Sequence, residues 1–210
     1  MLNKNIDSIG FDLDGTLWDS LEPVIYSWRE AVRDLPDIPR VPTEDEVKGV
    51  MGMPPLGIAT TLFPYLSEQR AMEVFDIMTK VEIEHVAKVG GILFDGLEET
   101  LQYLSCKYKL YIVSNCQKGY IEAFLAFHKL GQYFVDRENA ENTGLSKGKN
   151  IRLVMERNGL KNTVYVGDTI GDQNAAKEAE VPFIFAGYGF GKAEAPETVI
   201  HSIRDLQKLF

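Results

Sequence analysis

The sequence contains few of the residues that build disulfide frameworks or histidine metal sites. Among its 210 residues there are two cysteines and three histidines. Cys106 and Cys116 show no framework spacing, so we expect both to be reduced thiols. His85, His128 and His201 lie far apart in the sequence and receive no catalytic assignment. A disulfide-stapled protein and a Cys/His zinc site are therefore excluded.

A long apolar run and an excess of positive charge are also missing. No apolar stretch approaches the ~20 residues that a membrane-spanning helix needs, and residues 1–5 show no secretory pattern. The formal net charge of −9 repels nucleic acid and anionic lipid. We therefore expect a cytoplasmic protein that binds neither nucleic acid nor membranes, while its oligomeric state stays open.

The sequence does contain enough apolar residues for a sizeable core. Hydrophobic residues make up 45% of the chain and charged residues 25%, as in ordinary globular proteins. Strand patterns alternate with helical patterns at the start and through the second half. The predicted strands are 8–13, 110–114, 133–136, 164–167 and 183–186. This alternation predicts an α/β fold, with a parallel sheet covered by helices on both faces in three layers.

The alternation stops between residue 16 and about residue 88, where the periodicity becomes helical. The predicted helices of this segment are 20–35, 43–50, 56–62 and 67–87. We therefore expect a helical domain at 17–88, inserted into an α/β core domain formed by 1–16 and 89–210. Thr16–Asp19 and Gly90–Gly91 are the expected hinges.

Polar side chains lie at the carboxyl ends of three predicted strands. Asp12 and Asp14 are one residue apart, so an extended chain points both to the same side. Gly15 allows a sharp turn directly afterwards. Because right-handed crossovers bring the carboxyl ends of parallel strands to one edge, we expect Asp12, Ser114 and Asp168 to meet there.

The segment from Ile9 to Leu17, IGFDLDGTL, resembles the first motif of the haloacid dehalogenase-like hydrolase superfamily, in which two aspartates flank one residue and precede Gly-Thr. The other three motifs follow in the same order. They are Ser114 after an apolar strand, a lysine before a helix at Lys147 or Lys149, and the acidic pair Asp168 and Asp172. The resemblance spans essentially the whole chain. It implies a Rossmann-like core with the first strand central and a small α-helical cap of the C1 type.

The resemblance also implies a phosphatase that hydrolyses the phosphate monoester of a small metabolite through an aspartyl phosphate. Asp12 would be the nucleophile. Asp14 would protonate the leaving oxygen and later activate water. Two neighbouring carboxyl groups can serve such different roles when their environments separate their pKa values.

The same chemistry requires a cation. A carboxylate approaches a phosphate dianion only when their repulsion is cancelled, and Mg²⁺ held by oxygen ligands is the usual solution. We predict that Asp12, the backbone carbonyl of Asp14, and Asp168 bind Mg²⁺. Asp172 lies one helical turn beyond Asp168 and is expected to orient it or metal-bound water.

Three polar residues are predicted to bind the phosphoryl oxygens. Ser114 supplies a hydroxyl, Asn115 an amide and a backbone N–H, and the motif-three lysine a positive charge. Lys147 is preferred because it resembles the loop position of the motif. Lys149 looks like the first exposed residue of a helix that begins near Asn150.

Two further segments border the predicted site. Residues 49–55, GVMGMPP, resemble the substrate-specificity loop of phosphoglycolate phosphatase-like members. Residues 187–191, GYGFG, are interpreted as a structural loop near the site. Trp18 is interpreted as a residue that packs in the core or between cap and core, with a position at the site entrance as the alternative. Two alternatives stay open at this point, a β-phosphoglucomutase-like phosphosugar isomerase and a non-catalytic phosphate-binding module. No residue names the leaving group of the substrate.

Overall fold

The structure is a computed structural model that describes residues 5–210. Within that range the strands are β1 (Ser8–Phe11), β2 (Trp18–Asp19), β3 (Ile92–Leu93), β4 (Lys109–Ser114), β5 (Phe134–Asn139), β6 (Thr163–Gly167), β7 (Phe183–Ala186) and β8 (Val199–Ile200). The helices are α1 (Leu21–Val32), α2 (Glu44–Val50), α3 (Pro55–Leu62), α4 (Glu68–Val89), α5 (Leu97–Ser105), α6 (Tyr120–His128), α7 (Ala140–Thr143), α8 (Lys147–Asn158), α9 (Ile170–Glu178) and α10 (Leu206–Leu209). Short 3-10 turns lie at Gly131–Tyr133 and Ile203–Asp205.

A six-stranded parallel sheet with the order β5-β4-β1-β6-β7-β8 forms the centre of the fold. Strand β1 has a neighbour on each side, as the sequence predicts. Its last residue, Phe11, pairs with Ile112 of β4 and with Val166 of β6. The residues that follow these three strands therefore lie at the same edge of the sheet. The predicted α/β fold with a parallel sheet is confirmed.

Both faces of the sheet are buried, and β4 contributes side chains to the apolar cluster on each face. Leu110 and Ile112 belong to the apolar cluster that includes residues of α5 and α6. Tyr111 and Val113 belong to a second cluster, on the side of α8 and α9. Successive side chains of a strand point to opposite faces, so this division produces the predicted three layers.

The helical segment, residues 21–89, has an apolar cluster of its own, to which α1, α2, α3 and α4 all contribute. Its helices begin where the sequence predicts them. The Thr43 side chain accepts from the Glu46 backbone N–H in a capping box, and the Ser67 hydroxyl accepts from the Arg70 backbone N–H. Each such cap stabilises a helix by about 1 kcal/mol.

The two connections between the helical segment and the sheet run side by side. Trp18 pairs with Leu93, and Asp19 with Ile92, as two short antiparallel strands. A Cβ atom at Gly91 would lie 2.6 Å from the Asp19 carbonyl oxygen, so glycine permits this close approach. This pair was not predicted, because two-residue strands carry no periodicity.

No helix within residues 5–210 is both long enough and apolar enough to cross a membrane.

Candidate active site

Three aspartates meet at the carboxyl edge of the sheet. Asp12 follows β1, Asp168 follows β6, and Asp172 lies in the first turn of α9. All three are buried, and one carboxylate oxygen of each lies within 4.8 Å of the others. The structure therefore brings together two predicted metal ligands and the residue predicted to orient them.

Lys147 lies against this acidic group. Its Nζ donates to Asp12 Oδ1 at 2.6 Å and also to Asp172 Oδ1. The Lys147 side chain is 5% exposed, whereas Lys149 is exposed to solvent. Of the two candidate lysines, the structure directs Lys147 toward the site.

The prediction that this helix begins near Asn150 is wrong. Helix α8 begins at Lys147, because the Ser146 side chain caps it by accepting from the Lys149 backbone N–H. The sequence does not reveal this start, because a glycine such as Gly148 is typical of a loop. In the structure Gly148 permits close packing of α8 on α9, since a Cβ there would lie 2.8 Å from the Ala175 carbonyl oxygen.

The 187–191 loop holds Asp168. Asp168 Oδ2 accepts the backbone N–H of Phe190 at 2.7 Å and that of Gly191 at 3.3 Å. On the other side, Thr16 Oγ1 donates to Asp168 Oδ1 at 3.3 Å. A Cβ at Gly189 would lie 2.3 Å from Asp168 Cβ, so the glycines of this loop let the backbone reach the carboxylate.

Asp172, in the first turn of α9, bonds to the backbone of the residues that follow β6. Its Oδ2 accepts the backbone N–H groups of Asp168 at 3.2 Å and Thr169 at 3.0 Å, in the capping box of α9. Its other oxygen accepts from Lys147. Both oxygens are therefore engaged, which agrees with an orienting role for this residue.

Asp14 lies apart from the acidic group, in a pocket of hydrogen-bond donors. Its Oδ1 accepts from Trp18 Nε1 at 3.0 Å, Ser20 Oγ at 2.5 Å and Tyr120 Oη at 2.9 Å. Trp18 is fully buried and packs edge-on against Tyr120. Of the two interpretations of Trp18, the structure therefore supports packing in the interior and not a position at the entrance.

Ser114 and Asn115 reach the same edge from β4. Ser114 is the last residue of the strand, two positions beyond the Ile112 that pairs with Phe11. The Asn115 side-chain amide donates to the Gly52 carbonyl oxygen at 3.0 Å. That amide therefore contacts the helical segment through one of its two N–H groups, and the backbone N–H of Asn115 is a further donor at this edge of the sheet.

Burial is the largest single influence on the pKa of each of these groups, but for Lys147 other influences together outweigh it. It raises the pKa of Asp12 above the ordinary value of 3.8, and the charge of Asp172 adds to this while Lys147 opposes it. It likewise raises the pKa of Asp168, helped by Asp172 and Asp12. Burial alone would lower the pKa of Lys147, but Asp12 and Asp172 outweigh it and keep the lysine protonated.

Asp14 differs from Asp12 in its surroundings. Burial raises its pKa as well, but here the hydrogen bonds from Ser20, Tyr120 and Trp18 oppose burial more strongly than the charge of Lys147 does. The two carboxyl groups of the first motif thus lie in different environments, the condition for separate roles in acid–base and nucleophilic chemistry.

The acidic group has the composition of a hard-cation site. Three buried carboxylates face one lysine, and among the described residues Asp168 forms no ion pair with a lysine or arginine. Uncompensated buried carboxylates are costly. A divalent cation bound by oxygen ligands fits this excess of negative charge.

A cavity of about 890 Å³ opens beside Lys147. Met51, Gly52 and Met53 of the predicted specificity loop line it, together with Asn115 and Lys147. The segment predicted to choose the substrate therefore borders a cavity that Lys147 also lines.

Several neighbours of the site were not predicted from the sequence. Ser20 and Tyr120 bind Asp14, and Glu82 of α4 is buried near it. A lone tyrosine or glutamate in an amphipathic helix gives no sequence signal for such a position. The glycines of the 187–191 loop were the one signal available for the backbone donors to Asp168.

Comparisons with known proteins agree with this geometry. The phosphoglycolate phosphatase of Vibrio vulnificus is 29% identical to this chain, covering 98% of it and 96% of the relative. The phosphoglycolate phosphatase of Escherichia coli K12 is 26% identical, with 97% and 92% coverage. A haloacid dehalogenase-like family hydrolase from Streptococcus pneumoniae shares the fold, with a TM-score of 0.84, 22% identity and 98% coverage of both chains. The profile of the haloacid dehalogenase-like hydrolases matches residues 9–186, and the chain belongs to that family.

Proposed function

We propose that the protein is a Mg²⁺-dependent phosphomonoester hydrolase that acts on a small phosphorylated metabolite through an aspartyl phosphate on Asp12. The observation that carries the proposal is the arrangement around Asp12. This carboxylate is buried, contacts Lys147, and shares its surroundings with Asp168 and Asp172.

In the first step, an Asp12 carboxylate oxygen forms a bond to phosphorus while the bond to the leaving oxygen breaks. Asp14 gives its proton to that oxygen, and the raised pKa of Asp14 favours the protonated form that this step needs. In the second step, Asp14 takes a proton from water. The water oxygen bonds to phosphorus, and the bond from phosphorus to Asp12 breaks, which releases inorganic phosphate.

Other residues of the site act on the charge of the phosphoryl group. Lys147 would pair with its oxygens, and the Ser114 hydroxyl and Asn115 backbone N–H would donate to them. Asp12, the Asp14 carbonyl and Asp168 would hold Mg²⁺, and Asp172 would fix Asp168 and Lys147. Bound Mg²⁺ would weaken the repulsion between the attacking carboxylate and the phosphate dianion.

We further propose that residues 17–88 form the cap and that residues 1–16 and 89–210 form the core. The separate apolar cluster of the helical segment supports this division. The paired linkers β2 and β3 would carry the motion between the two parts.

The alternatives are not favoured. The relatives at 26–29% identity are named phosphatases, which gives no support to a phosphosugar isomerase. A module that only binds phosphate would not need a buried carboxylate beside a lysine in the place of the nucleophile. The names of the relatives make phosphoglycolate the first compound to test.

The test is release of inorganic phosphate from p-nitrophenyl phosphate, phosphoglycolate and a panel of phosphorylated metabolites. Each assay is run with Mg²⁺ and with EDTA, beside Asp12→Asn as the matched inactive control. We expect turnover only in the wild type with Mg²⁺. Folded wild-type protein that turns over no member of the panel would contradict the proposal.

A further inference from the structure

A buried carboxyl group of the helical segment is not used by the chemistry proposed above. Glu82 lies in α4 and is only 4% exposed. Its Oε2 accepts from Trp28 Nε1 of α1 and from Gln117 Nε2, both at 2.8 Å. Among the described residues it has no ion-pair partner, so hydrogen bonds alone compensate its burial.

The two donors belong to different parts of the molecule. Trp28 lies in the helical segment together with Glu82, whereas Gln117 belongs to the motif-two loop, residues 115–119, which follows Ser114. At the start of the same loop, the Asn115 side chain donates to the Gly52 carbonyl oxygen. The motif-two loop is therefore joined to the helical segment at two points.

From Gln117 a continuous set of contacts leads to the predicted general acid. The Gln117 carbonyl oxygen accepts the backbone N–H of Tyr120 at 3.3 Å, at the start of α6. Tyr120 Oη in turn donates to Asp14 Oδ1 at 2.9 Å. The position of Gln117 therefore affects where α6 begins and where the tyrosine hydroxyl lies.

Helix packing supports the same path. Ile83, the neighbour of Glu82, lies against Gly119 at the end of the motif-two loop, where a Cβ would be 3.7 Å from Ile83 Cγ2. Glu82 is also close to Asp14, Cys116 and Tyr120: the charge of Asp14 raises the pKa of Glu82, and ionised Glu82 would raise the pKa of Cys116 and Tyr120. Burial raises the pKa of Glu82 to about 8, so the neutral carboxyl predominates at pH 7 and can still accept both hydrogen bonds.

We propose that Glu82 is a positioning residue for general-acid catalysis: by accepting from Gln117 it fixes the motif-two loop and Tyr120, and through them the orientation of Asp14. This inference rests on the proposed function for its chemistry and on the hydrogen bonds above for its structure. On this inference the helical segment helps to orient the general acid Asp14, in addition to its proposed role as a cap over the substrate.

The test compares two variants that each remove one donor from the same Glu82 oxygen. Gln117→Met breaks the contact to the motif-two loop, and Trp28→Phe breaks the contact within the helical segment. A poor leaving group needs the general acid, and p-nitrophenolate hardly does. For Gln117→Met we expect kcat/KM to fall about tenfold with an alkyl phosphate and less than threefold with p-nitrophenyl phosphate. Trp28→Phe should change the two substrates equally.

Two substitutions of Glu82 itself test whether a conservative variant restores activity. Glu82→Leu should show the same dependence on the leaving group as Gln117→Met. Glu82→Gln should restore it to within about twofold of the wild type, because the glutamine carbonyl can accept both hydrogen bonds. Equal losses with both substrates in Gln117→Met and Glu82→Leu would overturn the inference and leave Glu82 a structural residue.

A second readout needs no turnover. The chain has two tryptophans, and their indole N–H groups donate to Asp14 and Glu82 respectively. We expect Gln117→Met to displace the Trp18 indole signal in a ¹H–¹⁵N spectrum, and Trp28→Phe to leave it in place. An unmoved Trp18 signal in Gln117→Met would overturn the inference. An inactive wild type would count against the proposed function alone, with the spectrum still deciding this one.

Discussion

The carboxyl edge of the sheet and the helical segment differ in how directly their sequences express their roles. At the sheet edge each polar residue follows a buried strand, so its position can be inferred from neighbouring residues. Asp12 and Asp168 are examples. In the helical segment the starts of the helices are equally clear, but the contact of Glu82 with the motif-two loop depends on packing of α4 against α6. A local motif therefore defines the reacting groups, whereas tertiary contacts decide what surrounds them.

The largest expected effect is at the sheet edge, with Asp12→Asn. The amide keeps the size of the carboxylate and can still accept from Lys147, but it is a far poorer nucleophile. We expect kcat to fall by about 10⁴-fold or more, with the thermal midpoint close to that of the wild type. Phosphate release and a melting curve measure the two. Retention of more than a hundredth of wild-type kcat would remove Asp12 from the role of nucleophile.

The next effect distinguishes the two candidate lysines. Lys147→Met removes a buried cation that contacts Asp12 and Asp172, and kcat/KM should fall by about 10²–10³-fold. Lys149→Met, the matched control on the exposed side of the same helix, should change it less than twofold. Near-normal activity in Lys147→Met, measured at saturating Mg²⁺, would transfer the role to another group.

A smaller effect, on stability, is expected at the boundary between the two regions. The pKa of Glu82 is raised from 4.5 to about 8, so the folded state favours the protonated form. Its contribution to stability is complete below pH 4.5 and is lost as the pH rises through 8. Wild type should therefore lose about 2 kcal/mol relative to Glu82→Gln between pH 5 and pH 7. Denaturant unfolding of both proteins measures this, and a difference that stays constant with pH would contradict the raised pKa.

The smallest effect is expected inside the helical segment, far from the chemistry. Thr43→Ala removes the capping box of α2 and should cost about 1 kcal/mol of stability. Since the Thr43 side chain forms its hydrogen bonds with Glu46 at the start of its own helix, kcat should stay within about 20% of the wild type. Thr43→Ser, which keeps the hydroxyl, is the control. A clear loss of kcat with Thr43→Ala alone would mean that α2 is coupled more tightly to the site than these contacts indicate.

Much of the fold could be predicted because its elements carry local signals. The apolar runs of β4, β6 and β7 and the caps at Thr43 and Ser67 are examples. The start of α8 was missed because Gly148 is typical of loops and no sequence rule reports close packing of two helices. The short strands β2, β3 and β8 were missed because two residues show no alternation.

In the candidate site, too, residues with a local sequence signal were predicted and residues placed by tertiary contacts were not. The aspartates and Lys147 were predicted from motifs, and the structure brings them together. The Tyr120 donor to Asp14 was not predicted, because this tyrosine lies 106 positions away in the sequence. The side chain of Asn115 is predicted to bind phosphate; its hydrogen bond to the Gly52 carbonyl oxygen was not predicted, since it depends on the position of the helical segment.

The central claim is that Asp12 becomes esterified by phosphate beside a metal ion. The most direct measurement is a crystal structure with Mg²⁺ and beryllium fluoride, which mimics a phosphoryl group attached to a carboxylate. The proposed function predicts beryllium bonded to an Asp12 oxygen, with its fluorides in contact with Ser114 and Lys147 and Mg²⁺ bound by Asp12 and Asp168. Beryllium fluoride attached to any other side chain, or bound equally well by Asp12→Asn, would contradict it.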